Sequence, residues 1–152
     1  MPIEGSPAEP RSTIVVMFEN PSRTEIADLL RRVKTIAVVG FSPKPARPSH
    51  GVARALQGYG YRIIPVRPAL AEGLGEKAYA CVADLPEIPD LVDVFRTPDA
   101  VDAIVDDCIA LGVKALWLQD GVVNVAAAQR ARAAGMTVVM DRCTLRDRST
   151  LS

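Results

Sequence analysis

The chain has one histidine, His50, and three cysteines, Cys81, Cys108 and Cys143, among its 152 residues. A lone histidine leaves no histidine-rich metal centre. An odd number of widely spaced cysteines fits neither a disulfide framework nor a zinc site, and points to a reducing cytoplasm. Lysines plus arginines number 18, as do aspartates plus glutamates, so no net charge draws in nucleic acid or an anionic membrane. Any anion must be held by cations gathered locally. No apolar run reaches the roughly eighteen residues of a membrane span. Residues 13–18 are apolar but few, and the prolines and acids ahead of them do not resemble a signal peptide. At 49% apolar and 24% charged residues, the composition is that of a soluble globular protein of one domain.

Residues 1–12 are rich in proline and polar groups, and residues 1–19 read as a loosely ordered N-terminal tail. The ordered domain is expected over 20–146, with a C-terminal tail at 147–152. Ser22-Arg23-Thr24-Glu25 has capping-box form, and Ile26, Leu29, Leu30 and Val33 follow at helical spacing. Thr35–Val39, Tyr61–Val66, Leu91–Phe95, Ala115–Leu118 and Thr137–Met140 are short runs of the kind that form strands buried on both faces. Helical patterns alternate with them. Ser49 is placed to cap a helix ending at Gly58 or Gly60. Thr97-Pro98-Asp99 opens another that runs to Gly112, and Asn124 caps a last one that stops at Gly135. Residues 70–88, with Gly73, Gly75 and Pro86, predict a short helix or an irregular crossover. The whole is a Rossmann-like doubly wound α/β sheet of about five parallel strands, with helices on both faces and the order 3-2-1-4-5.

Ligands of such sheets bind beyond the carboxyl ends of the strands. The first strand delivers Gly40, Phe41, Ser42, Lys44 and Arg47 to that edge, the second Pro65, Val66, Arg67 and Pro68. The third delivers Phe95, Arg96 and Thr97, the fourth Gln119, Asp120, Gly121 and Val122, the fifth Asp141, Arg142 and Cys143. Lys44, Arg47, Arg67 and Arg96 thus gather on one edge of a neutral chain. Loops are also simply where arginines are solvated. Gly40, however, lets the backbone approach a ligand, and a helix start near Ser49 offers free N–H groups to an anion. Pro43, Pro45 and Pro48 stiffen the loop. The next glycine, Gly51, comes too late for G-x-G-x-x-G. Arg67 stands where NAD-binding proteins usually place an acid, which favours a ribose that carries a phosphate, as in NADP or coenzyme A.

"IAVVGFSPKPARPSHGVARALQGYGYRIIPVRP", followed by "LGEKAY", "DLVDVFRTPDAV", "LWLQDGVVN" and "VVMDRC", resembles the small single-domain CoA-binding proteins. Their fold is that of the CoA-binding domain of the succinyl-CoA synthetase α subunit. The resemblance spans about residues 22–145. It implies that Gly40, Phe41, Ser42, Lys44, Arg47, Pro48, Ser49 and Val52 hold the pyrophosphate and 3′-phosphate. It implies an adenosine pocket at Pro65, Val66, Arg67 and Pro68, although asparagine is common in the family where this chain has Arg67. Phe95, Arg96, Thr97, Pro98 and Val101 would border adenine and the pantetheine arm, and Gln119, Gly121 and Val122 would lie towards the thiol. Tyrosine is frequent in the family at the position of His50, and the domain that carries the synthetases' phosphohistidine has no counterpart here.

His50 reads best as a helix-surface residue, Trp117 as core, and Asp120 and Asp141 as local charges, since no matched base or metal set accompanies them. Cys143 reads first as a small packed residue; its place beside Arg142 also makes it a possible contact for the CoA thiol. The expectation is a cytoplasmic module that binds coenzyme A or an acyl-CoA as carrier, sensor or regulatory subunit, more a binding protein than an enzyme. No nucleic acid or membrane is expected as partner. An NADP-dependent enzyme and an interaction protein with a vestigial pocket are the alternatives.

Overall fold

Residues 18–151 are described by a computed structural model, and the expected loose tail falls largely on residues 1–17, outside the described residues. Helix α1 (Arg23–Arg32) starts with the capping box. Ser22 Oγ accepts from the Glu25 N–H at 3.1 Å, and Glu25 Oε1 accepts from the Ser22 N–H at 2.8 Å. Five parallel strands follow in the chain: β1 (Thr35–Val39), β2 (Arg62–Val66), β3 (Leu91–Val94), β4 (Ala115–Leu118) and β5 (Thr137–Met140). Each is buried along nearly all its length, as strands covered on both faces must be.

Successive side chains of these strands point to opposite faces, so the sheet has two cores. Ile36, Val38, Ile63, Leu91, Trp117 and Val139 meet α1, α2 (Pro48–Gly58) and α5 (Thr144–Ser149) on one face. Val39, Ile64, Val92, Leu116 and Val138 meet α3 (Val101–Leu111), α4 (Val125–Ala133) and a 3-10 turn (Val82–Asp84) on the other. Trp117 is fully buried and donates from Nε1 to the Arg142 carbonyl at 2.8 Å, a core role as expected. The doubly wound α/β class read from the sequence is the one observed.

The order of strands corrects the expected 3-2-1-4-5. It is β2-β1-β3-β4-β5, with Val39 of β1 paired to both Val66 of β2 and Val94 of β3. Pro65 supplies the reason. Its carbonyl faces the outer side of β2, where it accepts from the Tyr79 N–H at 3.0 Å. Proline has no N–H to offer a further strand on that side, which confines β2 to the edge. The Arg67 N–H donates to the Tyr79 carbonyl at 2.8 Å, so the incoming segment seals the edge before the chain crosses back past β1. That segment carries a two-residue-per-strand hairpin (Glu72–Gly73 with Glu76–Lys77) and the 3-10 turn, an irregular crossover as expected.

The opposite edge is closed by side chains. Asn20 accepts from the Met140 N–H at 2.7 Å and donates to the Met140 carbonyl at 2.9 Å, as a neighbouring strand would. Arg132 donates to the Val138 carbonyl at 3.3 Å. A second correction concerns the C-terminus: residues 147–149, expected in a tail, belong to α5. Asp147 is buried there and holds Arg142 by two bonds of 2.7 Å. Among the described residues, no helix is long and apolar enough to cross a membrane.

One charged group interrupts the cores. Asp93 of β3 takes an inward position and is fully buried, accepting from Gln119 at 2.6 Å and from Thr144 at 2.9 Å. Burial pushes its carboxyl from 3.8 up to about 7, against the two hydrogen bonds, which favour the carboxylate. Between those values the folded protein keeps a proton that the unfolded chain has released. The stability contributed by the protonated form is therefore fully present below about pH 4 and is lost as the pH rises through about 7. At about 1.4 kcal/mol per pKa unit, the loss is of the order of a few kcal/mol. Urea unfolding followed across this window should show a downward slope for the wild type that Asp93→Asn flattens. Parallel slopes for the two proteins would refute it.

Candidate functional site

The site begins where β1 and β3 part. The Phe95 N–H donates to the Val39 carbonyl at 2.8 Å and the Gly40 N–H to the Val66 carbonyl at 2.9 Å, so three strand ends are tied together here. Gly40 has φ +86°, and a Cβ on it would stand 2.4 Å from the Phe95 carbonyl oxygen. Only glycine fits. Beyond this point the chain leaves β1 for α2 on one face and β3 for α3 on the other. The crevice between them is the switch point of a sheet ordered in this way.

The loop from Ser42 to Ser49 is folded on itself. Ser49 Oγ accepts from the Ser42 N–H at 2.9 Å, and Ser42 Oγ accepts from the Lys44 N–H at 3.2 Å. Ser49 therefore does not cap α2, contrary to expectation. Arg47 occupies the N-cap position and Pro48 the first turn, where its fixed φ suits a helix start and no N–H is needed. The Ser49 hydroxyl is left free to brace the loop.

Two cavities open on either side of Gly40 and Arg67, which line both. The first, about 560 Å³, is walled by Ser42, Lys44, Arg47, Pro48, Ser49, Phe95, Gln119 and Val122 from the expected set, with Pro43 and Asp120. The second, about 620 Å³, takes Val66, Pro68 and Arg96 from that set. Both sizes are typical of ligand pockets. Seven expected residues line neither. Phe41 and Val101 are fully buried core, and Phe41 offers only its carbonyl, which accepts from Arg67 at 3.3 Å. Pro65 faces the sealed edge, Val52 packs on the core, and Thr97 and Pro98 form the 3-10 entry to α3. The Gly121 N–H is taken by Asp141 at 2.7 Å.

Sequence reasoning missed the floor of the second cavity. Ala100, Ala103, Ile104 and Asp107 line it, one stripe of the α3 segment. Their helical spacing was legible, but a stripe facing a cavity looks the same as one facing a core.

The charges divide into two sets. Arg62, Arg130, Arg142 and Arg146 are ion paired. Lys44, Arg47, Arg67 and Arg96 are exposed at the cavities, and none makes an ion pair among the described residues. Asp120, the carboxylate of the first cavity, is occupied by Arg146 at 2.8 and 3.0 Å, and that hydrogen-bonded pairing holds its carboxyl below the usual range. Cys143 lines neither cavity; its sulfur accepts from the Arg146 N–H at 3.5 Å and caps α5. His50 rests against the Phe41 ring, centroids 5.5 Å apart. Among the described residues, no group of three or more His, Cys, Asp or Glu side chains is placed to hold a metal.

The fold recurs in known proteins. The chain is 41% identical over 126 residues to the uncharacterised protein YneT of Bacillus subtilis, covering 83% of this chain and 93% of that one. A hypothetical protein from Pyrococcus horikoshii superposes with TM-score 0.82 at 36% identity, covering 89% and 99% of the two chains. A dinucleotide-forming acetyl-coenzyme A synthetase 1 from Ca. Korarchaeum cryptofilum matches with TM-score 0.65 at 28% identity, over 75% of this chain and 28% of the enzyme. The family model described as "CoA binding domain" matches residues 34–148, and the chain belongs to that family.

Proposed function

We propose that this protein binds coenzyme A or an acyl-CoA across the two cavities that meet at Gly40 and Arg67. It does so as a carrier, sensor or regulatory module without catalytic apparatus of its own. The observation that carries this reading is the set of unpaired cations around those cavities in a chain with no net charge. Such groups gain most from a ligand that brings several phosphates, because each contact is charge-assisted. The braced, proline-rich loop loses little freedom when such a ligand arrives.

The residues present fit the group. Lys44 and Arg47 flank the first cavity, and Arg67 lies between the two, within reach of a pyrophosphate and a ribose phosphate. Val66, Pro68, Val82 and Ile104 give the second cavity apolar walls suited to adenine. Phe95 and Val122 give the first a surface for an aliphatic arm. Bound CoA would supply a thiol, and the carboxylate that lines the same cavity, Asp120, is held by Arg146. Burial and the neighbouring Asp107 push the Cys108 thiol up to about 12, which removes it as a nucleophile.

Calorimetric titration with CoA, dephospho-CoA and NADPH tests the reading. Binding of CoA that weakens without the 3′-phosphate supports it; binding of NADPH alone supports a NADP enzyme, and silence with all three supports a vestigial pocket. Arg47→Ala and Arg67→Ala should each weaken CoA by about 1.5–3 kcal/mol, the value of a hydrogen bond to a charged group. Unchanged affinity in both variants would show that the cations serve something else.

A further inference from the structure

Behind the first cavity lies a polar cluster in an otherwise apolar layer. Gln119 follows β4 directly, lines that cavity and is only 4% exposed. Its amide nitrogen donates to Asp93 Oδ1 at 2.6 Å and to Thr144 Oγ1 at 2.7 Å. Thr144 Oγ1 donates in turn to Asp93 Oδ2 at 2.9 Å. Asp93 and Thr144 are both fully buried.

Above about pH 7, where it is ionised, the Asp93 carboxylate only accepts hydrogen bonds, and the threonine proton is already given to it. Both hydrogens of the Gln119 amide are therefore used inside the protein. The amide cannot turn over without setting its oxygen against that of Asp93. Its own oxygen, Oε1, accepts from no donor among the described residues, although the side chain is more than nine-tenths buried in the cavity wall. A buried acceptor left unpaired costs free energy until a partner is supplied.

We propose that Asp93 and Thr144 are positioning residues that fix Gln119 Oε1 as a hydrogen-bond acceptor towards the first cavity. The cavity then selects a ligand arm that carries an N–H or O–H at that point. This rests on the CoA reading of the site. The pantetheine arm of CoA carries amide N–H groups and a hydroxyl, and Phe95 and Val122 beside Gln119 suit its aliphatic parts. The nucleotide phosphates, by contrast, belong with Lys44, Arg47 and Arg67.

The test compares CoA with adenosine 3′,5′-bisphosphate, which keeps the phosphorylated nucleoside and lacks the arm. Titrations use the full chain above pH 7, where Asp93 is ionised. Gln119→Met preserves the side chain's length and removes the acceptor. It should weaken CoA about tenfold, the worth of one hydrogen bond, and leave the bisphosphate unchanged. Thr144→Val, which keeps the shape without the hydroxyl, and Asp93→Asn, which lets the amide turn over, should weaken CoA alone. Thr144→Ser should restore wild-type affinity. CoA affinity unchanged in Gln119→Met, or an equal loss for both ligands, overturns the proposal while leaving CoA binding intact. Thr144→Val indistinguishable from wild type overturns the positioning role. A wild type that binds neither ligand removes the CoA reading and this inference with it. Gln119→Met and the Thr144 pair keep the test decisive if Asp93→Asn fails to fold.

Discussion

The approach of Gly40 to the Phe95 carbonyl determines where β1 and β3 cease to be neighbours, and the site follows from that place. With no side chain between them, the two strands stay paired to their last residues and then send the chain to opposite faces of the sheet. The Gly40 N–H binds β2 to the same point, which puts Arg67 a single residue beyond it. One backbone contact therefore decides the position of the crevice, the direction of the 42–49 loop and the meeting of the two cavities. A side chain at Gly40 would have to push the strands apart, and every cation would move with them.

Around that contact the protein keeps two kinds of polar group in states that cost it free energy. Exposed cations gather on one side, and none of them makes an ion pair among the described residues. On the other, Asp93 sits in a core position where an apolar residue would cost nothing. Other polar groups, some of them in the same crevice, are well served: Asp147 has Arg142, Asp120 has Arg146, and Trp117 and Ser49 have partners. Unpaired cations and a buried carboxylate at one crevice are the pattern that a binding site there would have.

The α/β class was legible in the sequence because its five buried runs and intervening helical patterns repeat one physical unit. Capping at Ser22 and Asn124 was also legible, since those bonds are local. The strand order was not taken from the pattern, although Pro65 carried the signal: a missing N–H matters only once it is known which side of the strand it faces. Ser49 misled for a similar reason, as a hydroxyl near a helix start suits a cap as well as a brace, and Pro48 decided between them. The residues on the cavity walls after β1 and β4 were found because topology sends strand ends there. Phe41 lay in the first of these segments but pointed into the core, since orientation within a loop has no period to read, and Val101 at the start of α3 does the same. Asp93 escaped notice entirely, because its partners Gln119 and Thr144 lie 26 and 51 residues away.

The two flanks of the sheet resemble each other in a way that reaches beyond the single chain. Tyr79 covers the outer hydrogen-bonding groups of β2, and Asn20 with Arg132 covers those of β5. A sheet with free flanks offers a template on which another chain's strand can grow, the route to runaway stacking in a crowded cell. Here part of that template is taken up within the molecule. The groups so covered are withdrawn from that kind of growth.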